Sequence, residues 1–369
     1  MFFVGVMSGT SCDGVDVVVV DFNDADSSVV KVLAAKTTPY PDTIKQPLLQ
    51  LIADQPLPIS LVSQLDAKLG HFYAAAINDL LRSHAISGDR VTAIGLHGQT
   101  VCHQPPNPAN PWLANTLQLG SAAITAQTTA ITTVANFRQM DVAYGGQGAP
   151  LAPVLHQQLF KQTDQIVAVL NLGGIANITL LDGDEVIGFD TGPASCLMDA
   201  HIQAQRNLPY DDKGLWAKQG EVDVDLLREM LSDQYFKQVY PKSTGRELFN
   251  LNWLKQQLID HQTHAVDVQR TLLQLTVESI ALGIEQSQLD VDQMVVCGGG
   301  VHNDFLQQQL RQRIDSKIFS SAELGLDPDF IEAVLMAWLA RQNIKQHSMD
   351  LACITGSEKP HVYGVRYQP

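Results

Sequence analysis

The chain has 369 residues, with 24 Lys or Arg against 39 Asp or Glu, for a net charge of −15; 45% are hydrophobic and 17% charged. That composition excludes wholesale disorder, and the length predicts two domains at roughly 150 residues each. The acidic balance, with no local basic patch to offset it, argues against nucleic acid or an anionic membrane as partner.

The apolar run Phe2-Phe3-Val4-Gly5-Val6-Met7, the turn Ser8-Gly9-Thr10-Ser11-Cys12-Asp13-Gly14 and the run Val15-Asp16-Val17-Val18-Val19-Val20 predict a β-hairpin with an oversized loop. This start carries no basic segment and breaks at Ser8, so no signal peptide is expected. Apolar residues at helical spacing predict a helix over 60–81. A buried strand over 91–96 then ends in the polar loop His97-Gly98-Gln99-Thr100, and the four prolines between 104 and 111 predict a loop. A short strand at 131–134 leads to the turn Gly145-Gly146-Gln147-Gly148, and a domain boundary is placed after residue 132, dividing the chain into 1–132 and 133–369.

The opening pattern then returns. Strand 166–172, the turn Gly173-Gly174 and strand 175–181 predict a second hairpin and hence two similar halves. Helices are expected at 193–205 and 268–287. The strand 294–297 runs into Gly298-Gly299-Gly300, helices 303–313 and 329–342 follow, and residues 354–367 are expected to return as a strand, packing back on the first lobe. Strands alternating with helices indicate an α/β architecture. No stretch approaches ~18 consecutive apolar residues. Five irregularly spaced cysteines (12, 102, 196, 297 and 353) without a CxxC pair fit a reducing compartment and give no metal site, so a cytoplasmic location is expected.

There is no GxxxxGK[ST] and no GxGxxG opening a helix, so neither a P-loop nor a dinucleotide fold is supported. Three glycine turns nevertheless follow strands directly, at Gly9, at Gly173-Gly174 and at Gly298-Gly299-Gly300. Glycine lets backbone N–H groups approach an anion, so together these predict a phosphate clamp. The carboxylate candidates are Asp13, Asp16, Asp190 and Asp199. Asp190, at a predicted strand-to-helix corner, suits a general base or a group near magnesium, and equally a helix N-cap, a role Thr191 could take instead. His97, between Gly95 and Gly98, suits contact with a polar substrate. Arg138 either forms a surface ion pair with Asp141, worth under ~1 kcal/mol, or meets substrate.

The run from Met7 to Asp16 resembles the opening signature of the anhydro-N-acetylmuramic acid kinases, which belong to the actin-like, sugar-kinase superfamily. The resemblance continues through Gly95-Leu96-His97-Gly98-Gln99-Thr100, Asn136-Phe137-Arg138, Gly145-Gly146-Gln147-Gly148-Ala149-Pro150 and Asn171-Leu172-Gly173-Gly174-Ile175-Ala176-Asn177-Ile178. Phe189-Asp190-Thr191-Gly192-Pro193, Pro241-Lys242-Ser243-Thr244-Gly245-Arg246-Glu247 and Cys297-Gly298-Gly299-Gly300 complete it. The chain departs from the family pattern at Cys12, Asn136, Ala194-Ser195 and His201, where the family usually has Leu, Asp, Gly-Asn and Trp.

The resemblance implies two ribonuclease-H-like lobes around a nucleotide cleft, ATP and Mg2+ as cofactors, a small amino sugar as substrate and a homodimer. It implies that Gly9, Thr10, Ser11, Cys12, Asp13, Gly14, Val15 and Asp16, with Gly173 and Gly174, hold the phosphates, and that Gly298, Gly299 and Gly300 lie near the adenosine. It further implies that Asp190 is the catalytic base, that Glu332 lies near the attacking water, and that His97 and Arg138 meet the sugar. Two other readings stay open here: another sugar or carboxylate kinase, and a non-catalytic actin-like ATPase.

Overall fold

The computed structural model describes residues 1–9, 12–22, 30–107, 111–246 and 248–369. In chain order its strands are β1 (Phe2–Met7), β2 (Gly14–Phe22), β3 (Val30–Pro39), β4 (Val91–Leu96), β5 (Gln99–Gln104), β6 (Asn115–Leu119), β7 (Thr133–Ala135), β8 (Val167–Leu172), β9 (Ile175–Asp182), β10 (Glu185–Pro193), β11 (Gln293–Cys297), β12 (Lys317–Ser320) and β13 (Val365–Tyr367). The chain forms two units: Met1–Leu159 with Phe330–Pro369, and Phe160–Asp329.

The first unit is built on a sheet of order β13-β7-β4-β1-β2-β3. β1, β2 and β3 form an antiparallel meander, whereas β4 lies parallel to β1 and β7 parallel to β4. One face is covered by helix Ile59–Ser83, whose Leu65, Leu69, Tyr73 and Ile77 join Val4, Val6, Val17 and Val19 in the core. Full burial of side chains of this size is worth about 1.5–3 kcal/mol each. The other face receives helix Ile331–Ile344 through two glycines that stand side by side, Gly5 opposite Gly95. A Cβ at Gly5 would fall 1.8 Å from Ala333 O, and one at Gly95 1.9 Å from Met336 O. Only glycine allows that approach, and it fixes the helix start, with Glu332 in its first turn, against β1.

The second unit repeats the plan. Its sheet order is β10-β9-β8-β11-β12, with β8 to β10 antiparallel and β11 and β12 continuing in parallel with β8. Leu170, Leu172, Ile178 and Phe189 pack with Leu272, Leu275 and Ile280 of helix Ala265–Ser287. Both sheets run third-second-first-fourth-fifth, the first with β13 added beyond its fifth strand, and in both the first three strands are antiparallel. This is the ribonuclease-H-like unit, present twice, as in the actin-like ATPase class.

The expected boundary after residue 132 falls inside the first unit, because β7 pairs with β4, Thr133 opposite Ile94, and keeps the chain in the first sheet. The C-terminal segment belongs to that unit as well, but only Val365–Tyr367 is strand, antiparallel to β7, and Ala352–Thr355 is helical. The expected polar loop at 97–100 is shorter than predicted, since β5 begins at Gln99 and pairs with β6. The helix expected from 193 begins at Ser195 with Ala194 as N-cap and no side-chain cap, so neither Asp190 nor Thr191 caps it; both lie in β10. Among the described residues, no helix is long and apolar enough to cross a membrane.

Candidate active site

In the first unit, the parallel pairing of β1 with β4 brings the turns after both strands to one sheet end. Gln99 Nε2 donates to Gly9 O at 3.0 Å, and Ser8 Oγ donates to Gly98 O at 3.0 Å. Ser8 Oγ also bonds Tyr73 OH at 3.2 Å, which in turn bonds Tyr40 OH at 2.9 Å. Burial pushes the Tyr40 phenol up to about 12 and the Tyr73 phenol well above its ordinary value, so both remain neutral hydroxyls. The first glycine turn thus rests on a chain of buried hydroxyls.

Thr10 and Ser11 lie outside the described residues. Cys12 and Val15 have no exposed surface and lie in the hydrophobic core. Gly14 is explained by packing, since a Cβ there would meet Thr38 O at 2.4 Å. Asp13 is exposed and paired with Lys45 at 3.1 Å. Asp16 is half-buried, and its Oδ1 accepts from Thr37 Oγ1 at 2.5 Å.

His97 and Arg138 come together. Arg138 Nε donates to His97 Nε2 at 2.8 Å, and His97 Nδ1 bonds Gly98 O at 2.6 Å. A guanidinium can only donate and a carbonyl can only accept, so the imidazole is neutral with its proton on Nδ1. Burial first, and then the Arg138 charge, lower the His97 pKa to about 3. Arg138 also donates to Gly148 O at 2.8 Å.

The surface ion pair of Arg138 with Asp141, one of the two alternatives for Arg138, does not form. Asp141 is fully buried and accepts from Gly148 N, Thr355 Oγ1 and Tyr363 OH at 2.6, 2.8 and 2.8 Å. Its carboxylate anchors the loop that Arg138 grips, and a Cβ at Gly146 would overlap it at 2.3 Å. Glu332 keeps exposed surface, yet loss of water around its carboxyl raises it above its ordinary value; the Arg138 charge opposes that rise and Asp16 adds to it.

In the second unit, β8 and β11 are parallel with Asn171 opposite Cys297, so the Gly173-Gly174 turn and the Gly298 turn share one sheet end. Gly298 has φ +79°, and a Cβ there would fall 2.4 Å from Asn171 Oδ1; one at Gly300 would fall 2.5 Å from Leu172 Cβ. Those two glycines serve packing. Gly299 has nothing within 4 Å of its Cβ position, and the nearest atom for Gly173 is 3.6 Å away. These are the backbones a ligand could approach.

Asp190 is held at three points. Its Oδ2 accepts from Thr244 N at 2.9 Å, its carbonyl accepts from Tyr235 OH at 2.7 Å, and its N–H donates to Lys242 O at 3.1 Å. It lies opposite Asn177, which lies opposite Asn171, and side chains paired this way share a sheet face. A polar row therefore crosses the strands beside the glycine turns. Sequence reasoning missed Asn177, Thr244 and Gln99 as members of the site. All three stand in motifs already conspicuous for glycine or a polar loop, but backbone donors such as Thr244 N leave no residue signal.

The sequence profile of the family described as anhydro-N-acetylmuramic acid kinase matches residues 1–369. A Vibrio cholerae serotype O1 protein named anhydro-N-acetylmuramic acid kinase is 44% identical, covering 100% of this chain and 98% of that protein. The chain belongs to the anhydro-N-acetylmuramic acid kinase family. A Pasteurella multocida protein of the same name is 42% identical over 100% of this chain and 97% of its own length. Among solved structures, an activator of 2-hydroxyisocaproyl-CoA dehydratase from Clostridium difficile aligns with a TM-score of 0.47 at 10% identity, covering 94% of this chain and 96% of that one.

For an anhydro-N-acetylmuramic acid kinase the donor set suits a phosphorylated substrate, with open glycine backbones beside a fixed carboxylate in the second unit. Among the described residues no three His, Cys, Asp or Glu side chains gather as a metal cage. Mg2+ held with a nucleotide needs no cage, because it is usually bound through one or two carboxylates, waters and phosphate oxygens.

Proposed function

We propose that this kinase uses ATP and water to open 1,6-anhydro-N-acetylmuramic acid and to phosphorylate the oxygen so released, giving N-acetylmuramic acid 6-phosphate and ADP in the recycling of cell-wall peptidoglycan. The observation that carries the reading is the family match over the whole chain, and the fixed carboxylate of Asp190 gives it chemistry. Asp190 takes a proton from a water molecule as that water attacks the anomeric carbon. The bond from this carbon to the bridging oxygen breaks, and the freed six-position oxygen attacks the terminal phosphorus of ATP. The Thr244 N–H on Oδ2 fixes the carboxylate while it acts.

Glu332 lies near the water in this reading, while His97 and Arg138 meet the sugar with a neutral imidazole and a full guanidinium charge. The turn at Gly9 and the turn at Gly173-Gly174 take phosphate oxygens, and Gly299 faces the adenosine. Bound Mg2+ would screen phosphate charge, with Asp16 or Asp190 as its protein oxygen. We further propose a cytoplasmic homodimer; five irregularly spaced cysteines without a CxxC pair support the reducing compartment.

Product analysis with ATP and a panel of anhydro and free amino sugars tests the assignment. It should give the 6-phosphate from the anhydro sugar, and preference for a free hexose would replace this reading with an ordinary sugar kinase.

A further inference from the structure

The Gly173-Gly174 turn is joined to the start of helix Ser195–Arg206. Gly173 O accepts from Ser195 N at 3.1 Å, and Gly174 O accepts from Ala194 N and Cys196 N, both at 3.0 Å. The helix's first N–H groups are therefore already occupied. Within a trans peptide the carbonyl and the following N–H point in opposite directions, so the N–H groups of Gly174 and Ile175 are aimed away from the helix. Two donors face one side, as an anion requires.

Arg246 lies against this same turn. A Cβ on Gly174 would stand 3.1 Å from its NH2, 3.3 Å from Nε and 3.6 Å from Cζ. Its side chain is exposed, and among the described residues no carboxylate or carbonyl bonds its guanidinium. Its backbone is well anchored. Arg246 O accepts from Asn250 Nδ2 at 3.2 Å, and the preceding Gly245 O accepts from the N–H groups of Leu248 and Phe249, the latter a core residue. Two residues earlier, Thr244 N holds Asp190. One short segment thus carries a cation to the glycine turn and a donor to the carboxylate.

We propose that Arg246 is a phosphoryl-binding residue, its guanidinium joining the Gly174 and Ile175 N–H groups on the oxygens of the terminal phosphate of ATP. A planar guanidinium suits this role because it donates in pairs to phosphate oxygens. The inference rests on the kinase reading above. It adds that the charge which recognises the third phosphate comes from the 242–246 segment, so nucleotide discrimination and the setting of Asp190 share one element.

Calorimetry with the full-length protein, Mg2+ and either ADP or the β,γ-imido analogue of ATP tests it. Arg246→Gln should weaken the analogue by about 10–100-fold, the scale of a lost charged hydrogen-bond pair, and ADP by less than about threefold. Arg246→Lys, which retains the charge but not the fork, should fall between and carries the test if the Gln variant does not fold. In steady state the KM for ATP should rise while that for the anhydro sugar stays within about twofold. Unchanged analogue affinity, or equal losses for the analogue and ADP, overturns the role. If the wild-type protein leaves the anhydro sugar untouched, the kinase reading fails instead, and the two nucleotide titrations still report on Arg246.

Discussion

Asp190 already spends one carboxylate oxygen on the Thr244 amide, a bond that an Asn side-chain carbonyl can also accept. Asp190→Asn should therefore preserve fold and nucleotide binding while turnover falls by about 10²–10⁴-fold, the usual loss on removing a general base. Near-normal turnover in a folded variant would shift the assignment to Glu332. His97 gives a prediction about pH. Folding lowers its pKa from 6.5 to about 3, so between those values the unfolded chain binds a proton that the folded chain refuses. Its contribution is fully present above pH 6.5 and is lost as pH falls toward 3. By pH 5 the loss is about 2 kcal/mol. His97→Gln removes this titration, so urea melts should show its stability deficit against wild type shrinking by about that amount between pH 7 and pH 5. Equal deficits at both values would mean that His97 is not held neutral. At this scale much was legible in the sequence: His97, Arg138, Asp190 and the glycines stood out by type and position. The role of Asp141 was not, because its partners Thr355 and Tyr363 are more than 200 residues away along the chain.

The glycine turns separate into two kinds once their surroundings are known. Gly298 is bound by geometry, with φ +79° and Asn171 Oδ1 2.4 Å from its Cβ position, whereas Gly299 is open. Gly298→Ala should destabilise the protein by about 1–3 kcal/mol, through left-handed strain and overpacking. Gly299→Val should leave the melting temperature almost unchanged and weaken ATP binding, if its open face receives the nucleoside. A stable Gly299→Val variant with wild-type ATP affinity would place the adenosine elsewhere. Hairpins and long helices were readable because apolar spacing and glycine turns are local signals. β3 and the β5–β6 pair went unread. β3 is only partly buried and mixes Lys and Thr among its apolar residues, and β5 follows the His97-Gly98 turn with too little apolar alternation to announce a strand. The motif from Pro241 to Glu247 was conspicuous, but its use depends on Thr244 N and Lys242 O meeting Asp190 from more than 50 residues away.

Across the whole molecule, the repeat of two glycine-turn hairpins was the most informative pattern, for β1–β2 and β8–β9 are the first two strands of each sheet. The boundary was misread because a chain that leaves a unit at residue 159 and returns at 330 has no local signature; the packing of helix Ile331–Ile344 on Gly5 and Gly95 and the pairing of β7 with β13 reveal it. The reaction, too, can be tested on the intact enzyme. An ordinary sugar kinase activates a hydroxyl already on its substrate, so no solvent oxygen enters the product. In the reaction proposed for this chain the acceptor oxygen would exist only after the anhydro bridge opens, and Asp190 would act on water. In oxygen-18 water the anomeric carbon of the 6-phosphate should gain one labelled oxygen, and the transferred phosphoryl group none. Because mutarotation also exchanges the anomeric oxygen, product must be trapped quickly and compared with unlabelled product held in the same water. Promptly trapped product with no label above that control would remove water from the first step. The bridge oxygen would then need another route to release, and Asp190 would be left to deprotonate a sugar hydroxyl, as in a conventional kinase.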